Sequence, residues 1–93
     1  MKKTIYKYQP GFDDRLEIMA PEDSKLLDVQ IQGGRLTFWY LVDPKKPLVP
    51  YNFAIFGTGH PVDIADEDFR HVATVQEMNG QLVWHCFELL TQR

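Results

Sequence analysis

The sequence predicts an all-β domain, a small antiparallel sandwich or partly open barrel of six to seven strands with at most one short helical turn. Three observations carry that reading. Gly33-Gly34 and Asn79-Gly80 each sit between two strand-length segments, the pattern of a β-hairpin. Residues 36–42 and 51–56 are apolar on both faces, which suits central strands. No segment carries the apolar period of a long helix.

The elements follow in order. Residues 4–8 form a short β-prone segment, ended by Gln9-Pro10-Gly11 because proline removes a donor and glycine supplies a turn. Residues 16–19 make a second strand, closed by the polar stretch that starts at Ala20-Pro21. Residues 26–32 alternate strictly, with Leu27, Val29 and Ile31 on one face and Asp28, Gln30 and Gln32 on the other. A two-residue turn at Gly33-Gly34 then sets Gln32 opposite Arg35, Ile31 opposite Leu36, Val29 opposite Phe38 and Leu27 opposite Tyr40. That face is apolar and belongs to the core. The reverse face pairs Gln30 with Thr37 and Asp28 with Trp39. A slip of one residue inverts both faces, so the register is well specified.

Residues 43–47 form a loop that Pro50 ends, and residues 51–56 form the next strand. Gly57-Thr58-Gly59-His60-Pro61 stops it. Residues 62–70 are polar and acidic, a loop with one helical turn at 66–70. The second hairpin, 71–78 with 81–90, places Val75 opposite Trp84, Ala73 opposite Cys86 and His71 opposite Glu88. Its other face pairs Val72 with Phe87, Thr74 with His85 and Gln76 with Val83.

Composition sets bounds on function. The 93 residues suffice for one core, so residues 1–93 are read as a single domain. Ten Lys and Arg against thirteen Asp and Glu give a net charge of −3. That lacks the basic excess of a protein that binds nucleic acid, and is far too little charge for a DNA mimic. No apolar run approaches the length of a membrane helix, and the early lysines precede no signal-peptide core, so the expected location is cytoplasm. Cys86 is the only cysteine, which excludes an internal disulfide.

Few residues invite chemistry. His71 and His85 fall on opposite faces of the predicted second hairpin and cannot converge on one ion there, so no metal and no cofactor is expected. Cys86 reads as a small buried hydrophobe. No nucleophile and base can be paired by spacing, so the chain is read as non-enzymatic. Gly57, Thr58, Gly59 and His60 form the most distinctive loop. Its glycines allow close backbone approach to a small anionic ligand, or simply a sharp turn out of a central strand. Trp39 lies on the polar face of the first hairpin beside Asp28 and Thr37. It is either an exposed anchor for a partner or is covered by another segment, such as the one around Phe69.

Ile5-Tyr6-Lys7-Tyr8, Gly57-Thr58-Gly59-His60-Pro61 and Trp84-His85-Cys86-Phe87-Glu88 occur in that order along nearly the whole chain. Together with Leu41-Val42-Asp43-Pro44 they resemble a family of short, uncharacterised bacteriophage and prophage proteins. The resemblance implies a phage-related origin and a single domain, and carries no catalytic residues.

The leading expectation is a phage-type accessory protein in the cytoplasm of the host bacterium. It would act by binding a host protein such as a defence factor, through Trp39, Asp28 and Thr37. The alternatives are a sponge for a nucleotide signal at Gly57–His60 and a minor virion component. Unprotected strand edges further suggest a homodimer.

Overall fold

The computed structural model describes residues 2–64 and 68–90. These form seven strands: β1 (Thr4–Tyr8), β2 (Arg15–Pro21), β3 (Lys25–Gln32), β4 (Arg35–Val42), β5 (Leu48–Gly57), β6 (Phe69–Glu77) and β7 (Leu82–Leu89). There is no helix among the described residues. Sheet A has the order β1-β4-β3 and sheet B the order β2-β5-β7-β6, and every pairing is antiparallel. The sandwich alternative therefore holds, and neither sheet closes into a barrel. The expected helical turn at 66–70 falls partly on residues 65–67, which lie outside the described residues. Phe69 and Arg70 already belong to β6.

The core fills the space between the sheets. Leu16, Ile18 and Ala20 of β2 meet Val29 of β3, Leu36, Phe38, Tyr40 and Val42 of β4, and Phe53 and Ile55 of β5. Phe38 and Phe53 bridge the sheets at 4.7 Å between ring centres, and Tyr40 and Tyr51 at 5.2 Å. The two segments apolar on both faces became β4 and β5, each flanked by strands on both sides.

Pro50 does not end a loop but sits inside β5, opposite Met19. Proline is tolerated there because β7 first reaches β5 at Asn52, so Pro50 has a ladder partner on one side only. Where β2 turns into β3 the chain crosses from sheet B to sheet A. Tyr51 pins that crossing: its hydroxyl donates to the Pro21 carbonyl (3.0 Å) and accepts from the Ser24 amide (3.1 Å).

Both hairpins keep the expected register at their turns and lose it at their open ends. Gly33 (φ 59°) and Gly34 (φ 77°), like Asn79 (φ 58°) and Gly80 (φ 86°), have the paired positive φ of a type I′ turn. From Gln32↔Arg35 to Asp28↔Trp39, and from Glu77↔Leu82 to Ala73↔Cys86, every pair is as expected. Beyond that point each hairpin has a bulge. In β3 it makes Leu26, not Leu27, the partner of Tyr40, so Leu26 packs on the core and Leu27 is exposed. In β6 it pairs His71 with Phe87 and Arg70 with Glu88, in place of Val72 with Phe87 and His71 with Glu88. Val72 and Ala73 then both pack against the core. A bulge adds one residue and re-aims the side chains after it.

Candidate functional site

The ladder of sheet A dictates what its outer face presents. Three rows cross it: Ile5–Leu41–Lys25, Lys7–Trp39–Asp28, and, on the β4–β3 side, Thr37–Gln30. Trp39 is partly exposed and belongs to neither apolar core. Phe69, the centre of the segment expected to cover it, instead packs on Phe87 of sheet B at 5.5 Å. Leu41 is partly exposed and Ile5 is 57% exposed, so Trp39 stands within a small apolar patch on the central strand. Asp28 is held rigidly beside it. One carboxylate oxygen accepts from the Val29 amide (2.8 Å), the other from the Gln30 side-chain amide (2.7 Å).

Thr37 differs from its two companions. It is fully buried, donates its hydroxyl to the Arg35 carbonyl (2.9 Å) and accepts from the Gln9 side chain (3.0 Å). It has no surface to offer a partner and instead fastens the residue after β1 across β4. Ile5 and Leu41 are the additions to the surface. Their proximity depends on β1 pairing with β4, a contact between chain ends that no local pattern in the sequence reports.

The Gly57–His60 loop is a sharp turn. The His60 amide donates to the Gly57 carbonyl (3.1 Å), and Gly59 takes the positive φ (87°) that a type II turn requires at its third residue. His60 folds back over Gly57, where a β-carbon would lie 2.9 Å from the imidazole. The close approach that Gly57 permits is thus made by a side chain of the same loop. A cleft of about 810 Å³ opens between this loop and the β1–β2 connection, floored by Phe12 and Trp84, whose rings meet edge to face at 4.8 Å. Asp13, Asp14 and Asp63 line it, with Arg15 as the cation, and Arg15 donates to the Asp63 carbonyl (3.1 Å). Three carboxylates against one guanidinium set a field that opposes an anionic ligand.

The β6 bulge overturns the separation of the two histidines. His71 Nε2 and His85 Nδ1 both reach the Thr74 hydroxyl, at 2.9 and 3.0 Å, and His85 Nε2 continues to the Thr58 hydroxyl at 2.6 Å. The result is an exposed polar chain, His71–Thr74–His85–Thr58, on one face of sheet B. Among the described residues no group of three or more His, Cys, Asp or Glu is placed to hold a metal ion. Cys86 is buried opposite Ala73, and burial, with Glu88 nearby, pushes its thiol up to about 12. At neutral pH it is a thiol and not a nucleophile. Glu88 is buried and takes Arg70, not His71, as its partner (2.5 Å). Tyr40 beside it has a buried hydroxyl with no hydrogen-bond partner among the described residues.

Among the described residues no helix is long and apolar enough to cross a membrane. A family model described as a domain of unknown function, DUF7352, matches residues 1–93. No curated protein and no solved structure matches the chain.

Proposed function

The chain belongs to the DUF7352 family, and we propose that it is a non-enzymatic binding protein that docks a protein partner on the outer face of sheet A. The observation that carries this reading is Trp39. It lies outside both cores, on a central strand, between Lys7 and the immobilised Asp28 and next to Leu41 and Ile5. A tryptophan in such a frame, apolar at the centre and charged at the rim, is the composition of a binding hot spot. The motif resemblance to phage proteins supplies the partner class, a host protein such as a defence factor, met in the bacterial cytoplasm.

The nucleotide-sponge alternative is disfavoured by the carboxylates around the Gly57–His60 loop. A minor virion component has no particular residue in its favour. Self-association fits the same surface. β1 is an edge strand, exposed along nearly its whole length. Antiparallel pairing of β1 with its copy would give a twofold dimer with one continuous outer face. A monomer mass at micromolar concentration contradicts that part.

The test is native mass spectrometry of the protein after exposure to host lysate, run in parallel on Trp39→Ala. The wild type is expected to retain a host protein that the variant loses. Retention by both removes this surface from the proposal, and retention by neither removes the host-protein reading.

A further inference from the structure

The outer face of sheet A is charged against the trend of the chain. The whole chain carries a net charge of −3. The ladder nevertheless places Lys7, Lys25 and Arg35 on this face, with Asp28 as its one acidic residue. All three cations are exposed, and none has a carboxylate partner among the described residues. The ion pairs Lys46–Asp23 and Arg70–Glu88 both lie outside this ladder. Asp28 shares a row with Lys7 and Trp39, but both of its oxygens already accept hydrogen bonds, from the Val29 amide and the Gln30 side chain. Lys7 turns instead to Gln32, its amine donating to the side-chain oxygen (3.0 Å). Gln32 is the ladder partner of Arg35, so the amine of Lys7 is held at the Arg35 end of the sheet by a neutral amide. Arg35 lies four residues along β4 from Trp39, about 14 Å of extended strand. Lys25 stands in the next row on the other side of Trp39. Positive charge thus flanks the tryptophan from both ends of the sheet.

Like charges gathered on one face without counter-charges raise the local potential and draw the opposite sign from solution. At the rim of an interface such charges set the rate of encounter and select the partner. A single-stranded nucleic acid fits this face poorly. Trp39 is the one aromatic residue on the ladder, whereas such strands are held by several stacking rings. The fixed Asp28 carboxylate in the same row also opposes a phosphate backbone. We infer that the partner docked on sheet A is a protein with an acidic surface, which seats an apolar side chain on Trp39 and brings carboxylates to Lys7, Lys25 and Arg35. This rests on the docking reading above and specifies the chemistry of the partner.

The experiment titrates the isotope-labelled full chain with three probes and follows its amide and indole resonances. The probes are a peptide of alternating glutamate and leucine, its lysine–leucine counterpart, and an oligothymidylate. The acidic peptide is expected to shift the Trp39 indole and the amides of Lys7, Lys25 and Arg35, and to bind more weakly as ionic strength rises. Lys7→Gln and Arg35→Gln should each weaken it about fivefold. Gln76→Glu makes the same change in net charge on the exposed outer face of sheet B and should leave the affinity unchanged. The inference is overturned if the acidic peptide leaves these resonances in place, if the basic peptide or the oligothymidylate binds there as tightly, or if Gln76→Glu weakens binding as much as Arg35→Gln. Host-lysate capture separates this failure from that of docking itself. A host protein lost by Trp39→Ala but retained in full by the Lys7→Gln/Arg35→Gln double variant, and at high salt, leaves docking standing and removes the acidic partner.

Discussion

The two sheets turn opposite treatments of their outer faces to solvent. Sheet B covers its own. After Pro61 the chain returns across it and lays Ile64 against Ala54 and Leu89, with Phe56 and Phe87 packed around this second, smaller core. Phe69 and His71 extend the cluster by contacts with Phe87 at 5.5 and 5.4 Å. Among the described residues sheet A has no such cover in either apolar cluster, and yet its central strand carries Trp39 and Leu41 outward. An apolar group buried within the chain contributes to folding. One left at the surface contributes little to folding and is available to a partner. The difference gives the outer face of sheet B a structural role and supports the docking role proposed for that of sheet A.

The largest effect expected is the one common to both sheets. Phe53→Ala removes the ring that meets Phe38 between them and should cost about 4 kcal/mol of folding stability. It sets the scale in a urea titration. Ile64→Ala comes next, at about 3 kcal/mol, because Ile64 is buried at the centre of its small cluster and its loss leaves a cavity. If Ile64→Ala costs no more than an ordinary surface substitution, the cover on sheet B is not structural and the contrast between the faces fails.

The inner faces respond to pH with a definite sign. The Cys86 thiol rises from 9.0 to about 12 on folding, and the Tyr40 phenol also rises from its ordinary 10.0. Between about 9 and 12 the unfolded chain has released the thiol proton and the folded chain still holds it. Stability is therefore complete below about pH 9 and falls as the pH rises through this window, by at most about 1.4 kcal/mol per pH unit for each group. Tyr40 adds its share above about pH 10. Urea midpoints compared at neutral and alkaline pH check this, and a flat profile would mean that the interior opens to solvent. Cys86 should also resist alkylation in the folded protein and react once unfolded.

How far the sequence could be read depends on the distance between cause and effect. The I′ turns rest on glycines next to them, and registers propagate outward from those turns residue by residue. The bulges do not follow from alternation. They arise because Leu26, not Leu27, fills the core, and because buried Glu88 meets Arg70. The adjacent apolar pairs Leu26-Leu27 and Val72-Ala73, which break strict alternation, are the local signal that was there to be used. Trp39 and Asp28 were legible as a pair because they face each other within one hairpin. Burial of Thr37 was not, because it depends on Gln9, 28 residues away in sequence.

The smallest effect on folding, and the one that separates the faces most sharply, is that of Trp39→Ala. Trp39 is partly exposed, has Lys7 and Asp28 as its ladder neighbours and belongs to neither core cluster, so the expected loss of folding stability is about 1 kcal/mol, below that for Ile64→Ala. Binding should rank the two substitutions in the opposite order. A tryptophan at the centre of an interface contributes about 2 kcal/mol or more when truncated, roughly a thirtyfold loss of affinity. Ile64→Ala, on the far sheet, should bind the same partner with unchanged affinity wherever it remains folded. Calorimetric titration of both variants against the captured partner, at a temperature where both are folded, reads the two rankings together. If Trp39→Ala costs as much folding stability as Ile64→Ala while partner affinity holds, the tryptophan belongs to the architecture of sheet A, and its exposure is incidental to binding.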